Sequence, residues 1–139
     1  MSEENNIRGS IKHLKRYKQL ISYEGLERHR KITPTDIDGL IDYKGNAFIF
    51  LEAKLVDKEM DYGQKLALEN IINGLCESGK PACCLVFRHD KNPDEIIVAK
   101  DCIVSEIYYQ HKWRSYNTKN VLFYIQEFEN HWKKMGISI

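Results

Sequence analysis

Asp36-Ile37-Asp38-Gly39-Leu40-Ile41-Asp42-Tyr43-Lys44-Gly45-Asn46-Ala47-Phe48-Ile49-Phe50-Leu51-Glu52-Ala53-Lys54-Leu55 is the stretch whose reading decides the fold. Its first part alternates, with Ile37, Gly39, Ile41 and Tyr43 on one side and Asp36, Asp38, Leu40 and Asp42 on the other. Lys44-Gly45-Asn46 is a turn signal, and 47–55 is a second, more apolar strand. An antiparallel hairpin follows. Phe48 to Leu51 reads as the middle of a sheet, after which Glu52 and Lys54, two residues apart, project from one strand face. Burying a carboxylate and an ammonium there costs several kcal/mol unless each meets a partner.

Loop length fixes what faces Glu52. A three-residue loop, Lys44 to Asn46, sets Tyr43 opposite Ala47, Asp38 opposite Glu52 and Asp36 opposite Lys54. Opposed residues have Cβ atoms about 4.5–5.5 Å apart, so two carboxylates there repel unless something positive is shared between them. In that register Asp38 is the metal ligand, and Asp36 pairs with Lys54 or acts as an outer ligand. A two-residue turn at Gly45-Asn46 shifts the pairing by one and sends Asp38 and Glu52 to opposite faces.

Outward from the hairpin, Ser10 caps a helix expected over 10–22, with Ile11, Leu14, Tyr17 and Ile21 on one face. A short extended segment is expected at 27–32, ended by Thr33-Pro34. A second helix starts after Asp61 and stops before Gly79, with Leu68, Ile71, Ile72 and Leu75 as its inner stripe and Gln64 one turn earlier. An apolar strand is expected at 81–87, further strands at 95–99 and 103–109, and a last helix over 120–135 with Val121, Ile125, Phe128, Trp132 and Met135 on one face. The fold class is α/β, a central mixed sheet flanked by helices.

The chain has 139 residues, 42% of them hydrophobic, which suits one domain, 1–139, with a real core. Net charge is +1, so the molecule is no general polycation. Charge is nevertheless uneven: between Arg8 and Lys31 eight Lys or Arg face only Glu24 and Glu27, a landing surface for a polyanion. Cys76, Cys83, Cys84 and Cys102 have neither CxxC nor zinc-finger spacing. They read as buried free thiols and fit a reducing cytoplasm. Neither a bilayer-spanning stretch nor a signal peptide is expected.

Carboxylates and a lysine at a strand end suit metal-assisted phosphodiester hydrolysis. Mg²⁺ accepts one or two carboxylates plus waters and phosphate oxygens, and it lowers the pKa of bound water. The chain has no GxSxG elbow, P-loop or HExxH to suggest another chemistry.

Pro34-Thr35-Asp36-Ile37-Asp38-Gly39, followed after the hairpin by Phe50-Leu51-Glu52-Ala53-Lys54, resembles the active-site signature of the PD-(D/E)XK nuclease superfamily, over about residues 10 to 90. The resemblance implies a restriction-endonuclease-like core: a helix, three strands, a helix and a fourth strand. It further implies that Asp38, Glu52 and the Ala53 carbonyl bind Mg²⁺, for which Mn²⁺ substitutes, and that Lys54 is catalytic. Pro34 is not adjacent to an aspartate, which leaves the choice between Asp36 and Asp38 open; the hairpin count favours Asp38. Several subfamilies carry a glutamine on the helix after the lysine strand, and Gly63-Gln64-Lys65 is similar there.

The activity so implied is a Mg²⁺-dependent nuclease acting on DNA, structure-directed or weakly sequence-selective, since no sequence-reading motif is evident. Lys12, Lys15, Arg16, Arg28, Arg30, Lys31 and His89 are the candidates for nucleic-acid contact, His29 lies within the same basic run, and Glu24 or Glu27 is a candidate further carboxylate. A homodimer using Tyr108, Tyr109 and Trp113 would let two sites cut two strands. Two rival classes are a non-catalytic nucleic-acid binder on the same fold and a protein-interaction module acting as a regulator or inhibitor.

Overall fold

The computed structural model describes residues 20–139. The chain divides into two compact units, 1–34 and 35–139. The expected first helix, and with it Lys12, Lys15 and Arg16, lies outside the described residues apart from its last positions, 20–22, which are not helical.

In the described part of the first unit, Gly25 takes a positive φ of 84° and the Leu26 N–H closes a turn on the Tyr23 carbonyl. His29–Lys31 then forms a 3-10 turn where an extended segment was expected. Arg30 and Lys31 adopt left-handed φ values of 63° and 61°, which no strand accommodates.

The second unit is an α/β structure built on a five-stranded open mixed sheet. Its elements are β1 (Gly39–Asp42), β2 (Phe48–Leu55), α1 (Tyr62–Glu77), β3 (Ala82–His89), β4 (Ile103–Tyr109), β5 (Lys112–Ser115) and α2 (Val121–Lys134). Strand order is β1-β2-β3-β4-β5; only β2 and β3 run parallel, and α1 makes the crossover between them. β3 therefore sits in the middle with both faces covered, and its run from Ala82 to Phe87 is buried throughout.

The sheet separates two cores. Phe50, Cys84, Val86 and Tyr108 pack with Leu68 and Ile72 of α1. Ile49, Cys83, Leu85, Val104 and Ile107 pack with Val121 and Phe128 of α2. Cys83 and Cys84 fall on opposite faces, and burial pushes both thiols up, so they stay protonated. Both helices are capped as their sequences dictate: Asp61 accepts from the Gln64 N–H and Asn120 from the Phe123 N–H. Two stripe positions depart from expectation. Ile71 and Met135 are 39% and 64% exposed, because each stands at the edge of its helix's buried arc.

The expected strand at 95–99 is absent. The Glu95 N–H closes a turn on the Asn92 carbonyl, a 3-10 turn follows at Ala99–Asp101, and β4 already pairs with β3. In its place β5 supplies the last strand. It enters through Gln110 and His111, both at positive φ (52° and 63°), a turn without glycine or asparagine to announce it. No helix among the described residues is long and apolar enough to cross a membrane.

Candidate active site

The hairpin takes the three-residue register. The ladder pairs Gly39 with Leu51 and Asp42 with Phe48, and the Tyr43 N–H reaches the Ala47 carbonyl at 3.0 Å. Lys44 and Gly45, at φ 56° and 82°, form the tight turn, closed by the Asn46 N–H on the Tyr43 carbonyl. The Gly45 N–H donates to Asp42 Oδ1 at 2.6 Å.

This register brings Asp38 to Glu52 just past the end of the ladder. Asp38 donates its backbone N–H to Glu52 Oε1 at 3.1 Å, and the Ala53 N–H donates to Asp38 Oδ2 at 2.8 Å. The reciprocal pair replaces the next ladder rung with side chain to backbone bonds. Gln64, in the first turn of α1, donates Nε2 to Glu52 Oε2 at 2.7 Å and to the Asp36 carbonyl at 3.2 Å. One amide thus ties the helix to both strands of the hairpin.

Glu52 is the only charged residue among the described ones that is fully buried. Burial pushes its carboxyl up to about 7. The Asp38 N–H opposes that rise, the adjacent Asp38 carboxyl adds to it by repulsion and by sharing a hydrogen bond, and the Lys54 charge lowers it. Two carboxyl groups so placed cannot both stay charged at neutral pH at little cost. A cation between them, or a shared proton, removes the conflict.

Gln64 Oε1 is a second sign of an incomplete set of partners: it is buried and accepts no hydrogen bond. The oxygens gathered here are hard ones, two carboxyls and the Gln64 amide oxygen, which is the kind of set Mg²⁺ takes with water completing its shell. Among the described residues no three His, Cys, Asp or Glu side chains cluster as a metal site, so such an ion would rest on these two carboxylates.

Lys54 is half-buried, two residues along the same face as Glu52. It does not form the ion pair with Asp36 that the register suggested; beyond Gly39 the first strand leaves the ladder, and the Asp36 carbonyl turns to Gln64 instead. Opposite Lys54 on β3 is Arg88, a residue not singled out in the sequence. Its guanidinium donates to Ser105 Oγ (2.9 Å), Glu106 Oε1 (2.9 Å), the Leu55 carbonyl (3.1 Å) and the Lys58 carbonyl. Lys65 adds a longer contact to Glu106, 3.8 Å. Arg88 therefore fastens the backbone just after Lys54. Strand alternation from Val86 would have placed it on this face.

His89 falls on the other side of β3 from Arg88, and its Nδ1 accepts from the Lys91 N–H at 3.1 Å. The structure thus separates His89 from the face bearing Glu52 and Lys54. Arg28, Arg30 and Lys31 are exposed in the first unit, as are Glu24 and Glu27. Tyr108, expected at a dimer surface, is 4% exposed; its hydroxyl donates to Asn73 and its ring packs at a tilt against Trp113, which donates to Glu69. No protein-family model matches the chain, and neither curated proteins nor solved structures yield a match.

Proposed function

We propose that this chain is a Mg²⁺-dependent nuclease of the PD-(D/E)XK superfamily that hydrolyses phosphodiester bonds in DNA. The observation that carries the reading is the fully buried Glu52, bound from one side by Asp38 and from the other by Gln64, with Lys54 following on the same strand face. A structural carboxylate in that position is a net cost; a carboxylate kept for an ion is not. The place within the sheet also fits, because open α/β sheets bind ligands at the carboxyl ends of their parallel strands, where Glu52 and Lys54 lie. The resemblance calls for three strands before the helix, whereas the described residues supply two, β1 and β2.

In this reading Asp38, Glu52 and the Ala53 carbonyl hold Mg²⁺, with Asp36 as an outer ligand; when bound, the ion polarises a phosphoryl oxygen and acidifies water. Lys54 faces the scissile phosphate and stabilises its growing negative charge. Gln64 holds the Glu52 carboxyl in place and offers Oε1 to water or substrate. Arg88 keeps the Lys54 end of β2 from fraying. Arg28, Arg30 and Lys31 supply phosphate contacts whose contribution falls as salt rises.

Cleavage of plasmid and branched DNA with Mg²⁺, Mn²⁺ or EDTA tests the proposal, comparing wild type with Lys54→Ala and Asp38→Ala. Metal-dependent cutting by the wild type alone is expected. Equal behaviour of all three proteins would sink it.

A further inference from the structure

On the face of the sheet turned away from Glu52, β3, β4, β5 and α2 leave a half-open cleft of about 430 Å³. That volume lies within the usual range for small-molecule sites, roughly 300–1,000 Å³. Its floor is apolar and buried: Cys83, Leu85, Ile107 and Phe128. Half-buried Tyr109, Tyr116, Tyr124 and Trp132 line it, while Gln110, Glu127 and His131 are exposed at its mouth. Tyr116 and Tyr124 meet edge-on, ring centres 5.3 Å apart.

Arg114 gives the cleft its charge. It stands on β5 opposite Ile107, so it shares that face of the sheet. Nη1 donates to the Tyr109 carbonyl at 2.8 Å, and no carboxylate among the described residues forms an ion pair with it. Arg88, equally half-buried, differs sharply, since its donors are taken by Glu106, Ser105 and two carbonyls. A half-buried guanidinium with donors to spare suits an anion, and its planar fork matches phosphate.

We propose that this cleft binds a nucleotide, the base lying against the tyrosine and tryptophan side chains and the phosphate on Arg114. Two sources share that chemistry: a free mononucleotide and an unpaired nucleotide of a strand. The inference does not rest on the nuclease reading, because none of its residues belongs to the Glu52 face.

The test uses tryptophan fluorescence of the full chain carrying Trp113→Phe, which leaves Trp132 as the sole reporter. The probes are thymidine, thymidine monophosphate, a short oligothymidylate and inorganic phosphate, all in EDTA so that nothing is cleaved. Saturable quenching is expected with the monophosphate, the oligonucleotide or both, weaker by about tenfold with thymidine and absent with phosphate alone. Comparable affinity for the two phosphorylated probes identifies a free nucleotide as ligand, and a large preference for the oligonucleotide identifies a strand. Arg114→Gln should weaken binding at least about tenfold, and Arg114→Lys less. Amide chemical shifts in the unsubstituted chain locate the ligand without any cleft variant, and should move around Tyr109, Arg114 and Trp132. No saturation by any probe, shifts confined to other residues, or unchanged binding by folded Arg114→Gln would overturn the proposal.

Discussion

The two faces of one sheet differ in how they treat charge. Toward α2, apolar side chains run along β2 and along β3 as far as Phe87, and the polar groups of the cleft gather beyond them. Toward α1 the same strands change character within two residues: Phe50 is 5% exposed in the core, and Glu52, next on that face, is buried completely although it carries a carboxyl. The helix changes in step, with Leu68 and Ile72 over the apolar half and Gln64 at the charged half. One face therefore keeps its core apolar and confines the polar groups of its cleft to the edge of that core. The other gives up stability at one end, where its carboxylate, lysine and amide are held ready.

The largest effect expected lies on the α2 face. Phe128 is buried and packs between Tyr43 and Trp132. Phe128→Ala should cost about 3–5 kcal/mol in chemical denaturation. A loss below about 1 kcal/mol would mean that this face is not the stabilising one. The counterpart on the α1 face is Lys54→Ala. It removes no core volume and no hydrogen bond, so the melting temperature should barely move, while cleavage falls about 10²–10³-fold, the usual effect of removing one charge-stabilising donor. Destabilisation by Lys54→Ala as large as that of Phe128→Ala would erase the contrast.

The sequence makes the hairpin legible because three signals agree: alternation up to Tyr43, a turn residue pair, and an apolar run after it. The two helices are legible for the same reason, each having a cap residue and a periodic stripe. What escapes is set by unannounced backbone. Gln110 and His111 make a tight turn at positive φ without the residues that favour it, so β5 stays hidden, and with it the Arg114 cleft. The apolar string Ile96-Ile97-Val98 looks like a strand, but β3 has no free edge left for it. Within the site, Asp38, Glu52 and Lys54 follow from counting; alternation from Val86 gives the face of Arg88, but its place opposite Lys54 needs the parallel register of β2 and β3, a long-range pairing that no local pattern encodes.

Glu52→Gln sharpens the comparison through pH. The Glu52 carboxyl titrates near 7 in the folded chain against 4.5 when unfolded, so the folded state holds its proton more tightly. The stability of that protonated form is fully present below about 4.5 and is lost as pH rises through about 7. The total is roughly 3 kcal/mol. Glu52→Gln cannot ionise and should escape this loss: equal to wild type at pH 4, more stable above pH 7, and inactive in cleavage. Mg²⁺ should restore wild-type stability at pH 8 and leave the variant unchanged, since at that pH the wild type holds an ionised Glu52 carboxylate for the ion to neutralise and the variant does not. Thermal melts across pH with and without Mg²⁺ check both arms. A wild type whose stability is flat between pH 5 and 8 would break the idea that this end of the α1 face carries a suppressed charge.

The smallest effect concerns a hydrogen bond that joins the hairpin's loop end to α2. The Tyr43 hydroxyl donates to Glu129 Oε2 at 2.8 Å, and burial, with Glu129 beside it, pushes the phenol's pKa well above its ordinary value. The ring itself stacks on Phe128, so Tyr43→Phe keeps the packing and loses only the bond, worth about 1 kcal/mol. This contact sits at the turn end of the hairpin, whereas Asp38 and Glu52 meet at the open end, beyond the last ladder pair. The four ladder pairs from Gly39–Leu51 to Asp42–Phe48 separate the two. Tyr43→Phe should therefore lower stability slightly and leave cleavage and its metal dependence unchanged. A drop in cleavage larger than the stability change explains would show that α2 helps set the hairpin's register, and that the two faces are less independent than their chemistry suggests.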